Sequence, residues 1–190
     1  MIEAVKENCI DTMRTLIEAN ANLEEGDAYH DSPLILAAMK GYAHAARLLI
    51  DSGAKLEARD RYGKTPLIWA ALRGHADTIQ ILLEKKANVD AKDNRRCSAL
   101  IRAATNGHCE AVRVLLHAKA DVHTKDRLGN TALIAATSRR RIDVARVLID
   151  ANAAVDSRNN QNKTALHAAV QCSHLPTINT LIDANASLNI

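Results

Sequence analysis

A register of 33 residues runs through this chain without a break. Leu34, Leu67, Leu100, Leu133 and Leu166 lie 33 residues apart, and Asp27, Asp60, Asp93, Asp126 and Asn159 keep the same step with no insertion. Self-similarity at such a period marks a repeat architecture, in which each unit is one supersecondary element that buries its apolar face only against its neighbours. The 190 residues would otherwise suggest one or two globular domains; with this period they form one stacked solenoid.

The unit is clearest at residues 60 to 92. Asp60-Arg61-Tyr62-Gly63-Lys64 is turn-rich and lacks helical periodicity, and Thr65-Pro66 then opens a helix. Leu67, Ala70 and Ala71 fall on one helical face, Gly74 closes the helix, and a second apolar-periodic run passes through Ile79, Leu82 and Leu83. This Thr-Pro-Leu-x-x-Ala core at a period of 33 resembles the ankyrin repeat, and the resemblance covers the whole chain. It implies a mainly α fold, an ankyrin-repeat solenoid of stacked helix-turn-helix units with protruding β-hairpin loops.

On this register residues 1–190 form a single ankyrin-repeat domain. Residues 1–26 are a partial first repeat, 27–59, 60–92, 93–125 and 126–158 are full repeats, and 159–190 are the C-terminal one. Met1 aligns with Leu34, so the first unit begins at an inner helix, Met1 to about Asn8, followed by an outer helix from about Asp11 to Ala19. Asp77, Glu110 and Asp143 open outer helices, where a negative charge complements the helix dipole.

Departures from the pattern mark local differences. His30, Arg96 and Asn162 stand where Gly63 and Gly129 do, at a place suited to positive φ, which Asn tolerates and Arg adopts at a cost. Arg140 and Ser173 replace the helix-ending glycine, so the last two inner helices should close less tightly. Thr180 replaces Ile81, Val114 and Val147, a weak sign of a polar end face.

Composition narrows the function classes. Formal net charge is +3, from 25 basic and 22 acidic residues, too small an excess to imply nucleic acid by itself. Cys9, Cys97, Cys109 and Cys172 show no paired spacing, which predicts reduced thiols in a cytoplasmic compartment. Nothing reads as a targeting segment, and no stretch reaches the roughly 18 apolar residues of a membrane helix. No residue separates a eukaryotic protein from a bacterial one delivered into a host cell. A monomer is expected.

Eight histidines invite a metal or catalytic reading. His75, His108 and His174 share one register after the inner helix, where the resemblance implies hydrogen bonds between loops, and His167 belongs to a Thr-Ala-Leu-His variant. None has a second ligand at metal spacing on its helix face. Phosphate-binding glycine loops, His-Glu-x-x-His and Gly-x-Ser-x-Gly are absent from the sequence. The expectation is a non-enzymatic chain with no cofactor and no metal.

The surface that packing leaves free carries the functional reading. Trp69 lies opposite Leu67 on the inner helix, beside Leu72 and Arg73. Its counterparts are Leu36, Met39 and Lys40 in the preceding repeat, Arg102, Thr105 and Asn106 in the following one, and Ala135, Ser138 and Arg139 beyond. Together with the hairpin tips they form the surface through which, by the resemblance, such proteins bind partners. The chain has no Phe, one Trp and three Tyr, yet Trp69, Tyr29 and Tyr62 all fall here, which predicts an aromatic anchor flanked by Leu36, Met39 and Leu72.

A basic track continues from the anchor through Lys40, Arg59, Arg61, Lys64, Arg73, Lys92, Arg95, Arg102, Arg127 and Arg139, with Asn94, Asn106 and Leu128 among them. Acids such as Glu84, Glu110, Asp143, Asp150 and Asp183 fall on outer helices or their ends. An acidic peptide or partner helix with apolar anchors complements that track. The alternative is nucleic acid or anionic lipid bound through the same charges.

Overall fold

A computed structural model describes residues 1–188, among which twelve helices run in pairs. The inner helices are α1 (Ile2–Lys6), α3 (Pro33–Lys40), α5 (Pro66–Arg73), α7 (Ala99–Asn106), α9 (Ala132–Ser138) and α11 (Ala165–Gln171). The outer helices are α2 (Ile10–Glu18), α4 (Ala43–Asp51), α6 (Ala76–Glu84), α8 (Cys109–His117), α10 (Ile142–Asp150) and α12 (Leu175–Asp183). Each inner helix packs on the next inner helix and each outer on the next outer, as a solenoid requires.

The inner helices begin where a hydroxyl supplies the missing acceptor. Ser32, Thr65, Ser98, Thr131 and Thr164 each accept the amide N–H three residues on, at 3.3 to 3.4 Å. Gly74 ends α5 in the left-handed region, φ 78°, and a Cβ there would lie 2.5 Å from the ring of His108. That ring is needed where it is, because His108 Nε2 donates to the Leu72 carbonyl at 3.1 Å, tying one repeat to the next.

Where glycine is lost the helix shortens. Arg140 and Ser173 also take left-handed angles, and α9 and α11 have seven residues against eight in α3, α5 and α7. Asn8, at the equivalent place in the first repeat, has φ 52°, which stops α1 at Lys6, short of the expected Asn8.

Leu34, Leu67, Leu100, Leu133 and Leu166 are buried, as are Leu49, Leu82, Leu115, Leu148 and Leu181 of the outer helices. Between repeats the loops are turns with almost no strand character; Lys92 and Ser98 form an isolated bridge. The turns are held instead by their first side chain. Asp60 Oδ1 accepts from the N–H groups of Tyr62 and Lys64, both at 2.8 Å, and Asp27, Asp93, Asp126 and Asn159 do the same in their repeats. No helix among the described residues is long and apolar enough to cross a membrane.

Candidate partner-binding surface

The loop tips are joined into a row. Asn94 N donates to Tyr62 O at 3.0 Å, Arg127 N to Arg95 O at 2.9 Å, and Asn160 N to Leu128 O at 3.0 Å. The side chains of Asn94 and Asn160 repeat the link, donating to the carbonyls of Arg61 and Arg127. Asn94 is therefore a strut as well as a surface residue. Such links fix the spacing between tips and with it the spacing of whatever the tips carry.

Tyr29 is joined differently. No corresponding backbone bond links it to Arg61 among the described residues; the Arg61 guanidinium lies over the Tyr29 ring at 5.2 Å and over Tyr62 at 4.8 Å. Lys64 continues the series, 4.3 Å from the centroids of both Tyr62 and Trp69, and Arg73 lies 5.9 Å from Trp69. Cations and rings thus alternate along the first two full repeats, which holds Arg61 in place while leaving it exposed.

The expected anchor residues differ in how open they are. Leu36, expected on the open surface, is only 6% exposed, because a short apolar side chain at this position packs down into the stack. Trp69 is half-buried, and its indole N–H donates to Asp60 Oδ2 at 3.0 Å. Met39 and Leu72 are half-buried as well. The large apolar groups that do stand open at the tips are Tyr29 at 58%, Tyr62 at 50% and Leu128 at 66%.

The basic residues divide in the same way. Arg102 is bound to Asp93 Oδ2 of its own loop, Lys64 is 3.6 Å from Asp60, and Arg59 donates to the carbonyls of Gly63 and Lys92 at 2.8 Å. These hold loops together. Lys92 is half-buried with its carbonyl engaged by Arg59. Arg61, Arg95, Arg127, Arg73, Arg139 and Lys40 are exposed and form no salt bridge among the described residues, and exposed Asn106 donates back to the Arg102 carbonyl. Sequence reading put Arg102 on an inner helix and Arg95 in a loop, but held no sign that Arg102 would be paired and Arg95 free.

Burial and neighbouring carboxylates disturb the titration of one loop acid. Asp31 is pushed above the ordinary carboxyl range, first by burial, then by Asp27 and Asp60, with Arg61 and Lys64 partly offsetting. The Cys97 thiol is pushed up to about 11 by burial, so it stays protonated at neutral pH. All four cysteines are free thiols. Among the described residues no three His, Cys, Asp or Glu side chains gather as metal ligands.

The histidines mostly brace loops. His75 Nε2 lies 3.1 Å from the Met39 carbonyl, the counterpart of the His108 bond, and His167 caps α11 with Thr164. His174, expected to bridge loops, instead meets Thr177 of its own helix at 2.6 Å. The Ser138 carbonyl, on the register of Met39 and Leu72, accepts instead from Cys172 Sγ at 3.4 Å, and Arg140 donates to the Cys172 carbonyl.

Hollows lie on both sides of the stack. One, of about 750 Å³, sits between α6, α8 and α10, lined by Leu83, Val114 and Leu116 together with Glu84, Glu110, Arg113 and Asp150. No sequence signal marks it, since its lining comes from three repeats. Opposite, three smaller hollows follow the loop tips, one at each junction from the repeat of Tyr62 onward, of about 380, 420 and 260 Å³. The middle one collects Arg95, Arg127, Arg139 and Leu128.

Paired helices stacked in one direction, with loops in a linked row on one side, define a repeat solenoid of the surface-presenting kind. The family model for ankyrin repeats matches three times, over residues 1–93, 57–126 and 100–190. The chain belongs to the ankyrin-repeat family, whose repeats are in general protein-protein interaction modules. No curated protein matches it.

Proposed function

We propose that this chain is a non-enzymatic recognition module, of scaffold or adaptor type, that binds an acidic protein partner through its loop tips and the adjoining inner-helix groove. The observation that carries this reading is the linked row of exposed, unpaired Arg61, Arg95 and Arg127 interleaved with exposed Tyr29, Tyr62 and Leu128. Charge speeds encounter with an acidic partner, and desolvated rings slow its release. The loop aspartates on this side are engaged by the N–H groups of their own turns, and other acids are paired between outer helices: Glu84 with Arg47 at 3.0 Å, and Lys85 with Asp51. Four free thiols suit a reducing cytoplasm, and the chain acts as a monomer.

The test compares wild type, Tyr62→Ala and the triple variant Arg61→Glu/Arg95→Glu/Arg127→Glu in affinity capture, after each is checked for unchanged helicity. A protein partner captured by wild type and lost with both variants supports the proposal. Capture of nucleic acid alone, released by salt and indifferent to Tyr62→Ala, overturns it.

A further inference from the structure

The three hollows behind the loop tips repeat at the spacing of the stack, and their polar linings differ. The first is rimmed by Tyr62, Lys64 and Arg95, and the second by Arg95, Arg127 and Arg139. The third carries Lys163 among the amides of Asn130, Asn160 and Gln161. The loop carboxylates beside the first two do not neutralise them. Asp93 is matched by Arg102, and Asp126, held by the N–H groups of Leu128 and Asn130 and by the Asn130 side chain, is outnumbered in its hollow by Arg95, Arg127 and Arg139.

Successive inner helices pack directly on one another, and at the usual interaxial distance of packed helices the hollows would recur about every 8 to 10 Å. A ligand engaging them in turn needs side chains on one face at that interval. A β-strand fails, because its same-face residues recur about every 6 to 7 Å, and an α-helix fails, because its same-face residues recur at about 5 to 6 Å or about 10.5 Å. A polyproline II segment has three residues per turn and about 3.1 Å of rise per residue, which brings every third side chain back to the same face after about 9 Å.

We infer that the partner segment is an acidic polyproline II peptide with a carboxylate at every third residue, laid along the loop tips so that successive carboxylates enter the hollows of Arg95 and of Arg127 and Arg139. This inference rests on the proposed acidic-partner surface and narrows it to one backbone conformation and one charge spacing. Tyr62 and Leu128, exposed beside the first and second hollows, cover the peptide's prolines.

The probes are two fluorescein-labelled nonapeptides of equal composition, Glu-Pro-Pro repeated three times and three consecutive glutamates followed by six prolines, titrated at low salt and read by anisotropy. The spaced peptide is expected to bind about tenfold tighter than its isomer. Arg127→Glu/Arg139→Glu removes that preference, and Arg113→Glu on the opposite side leaves it intact. Equal binding of both peptides, weakened by Arg127→Glu/Arg139→Glu, overturns the spacing and leaves the acidic surface standing. Binding indifferent to that variant, or no binding of either peptide at millimolar concentration, overturns both. A single-stranded oligonucleotide bound tighter than the spaced peptide overturns both in favour of nucleic acid.

Discussion

The indole N–H of Trp69 and the guanidinium of Arg102, 33 residues apart, reach back to the same place in their own loops, Trp69 to Asp60 Oδ2 and Arg102 to Asp93 Oδ2, each at 3.0 Å. In both repeats the first turn carboxylate uses one oxygen for the loop N–H groups and offers the other to the inner helix. Trp69→Phe keeps an aromatic ring and removes the donor. It is expected to lower stability by about 1.5 to 3 kcal/mol, because the acceptor is a buried carboxylate, measured by urea denaturation, and to leave partner capture unchanged. Lost capture with unaltered stability would return Trp69 to the role of anchor.

Burial separates framework from surface leucines. Leu82 is wholly buried between repeats, so Leu82→Ala should cost about 2 to 5 kcal/mol. Leu128→Ala, on an open tip, should stay within about 0.5 kcal/mol in the same melt.

Left-handed residues respond oppositely according to type. Gly74→Ala puts a Cβ against His108 and imposes positive φ on a residue that resists it, so a loss above about 1 kcal/mol is expected. Arg96 has φ 59° on an exposed tip, and Arg96→Gly relieves that strain. A gain of up to about 1 kcal/mol, net of glycine's larger unfolded entropy, should appear in thermal or urea unfolding.

Asp31 gives the protein a pH signature. Its folded pKa is raised, so the folded state holds the proton more tightly. The stabilisation from protonating it is complete below the unfolded value near 3.8 and is lost as pH rises through the folded value. Asp31→Asn should therefore be more stable than wild type at pH 7, with the difference closing on acidification. A gap that widens at low pH would contradict the raised pKa.

Thiol reactivity should follow burial. Cys9 is exposed, whereas Cys97 is buried with its pKa pushed up to about 11. Iodoacetamide at pH 8, followed by mass spectrometry, should label Cys9 well before Cys97, which becomes reactive on unfolding.

The repeat length, the hydroxyl caps at Ser32 to Thr164, the glycine stops and the buried leucines were all legible in the sequence, because each depends on local geometry or on a period that the stack copies unchanged. The fate of the surface was not. Leu36, Trp69 and Arg102 share one register, yet one is packed away and the other two brace a turn. Arg59 and Arg61 are two residues apart, and Arg59 crosses to the carbonyl of Lys92 while Arg61 lies between the rings of Tyr29 and Tyr62. Sequence alone determined which residues build the solenoid. Which polar side chains remain free to meet a partner was decided by the tertiary structure, since a side chain is claimed or released by acceptors that the folding of its own loop and the stacking of neighbouring loops bring within reach.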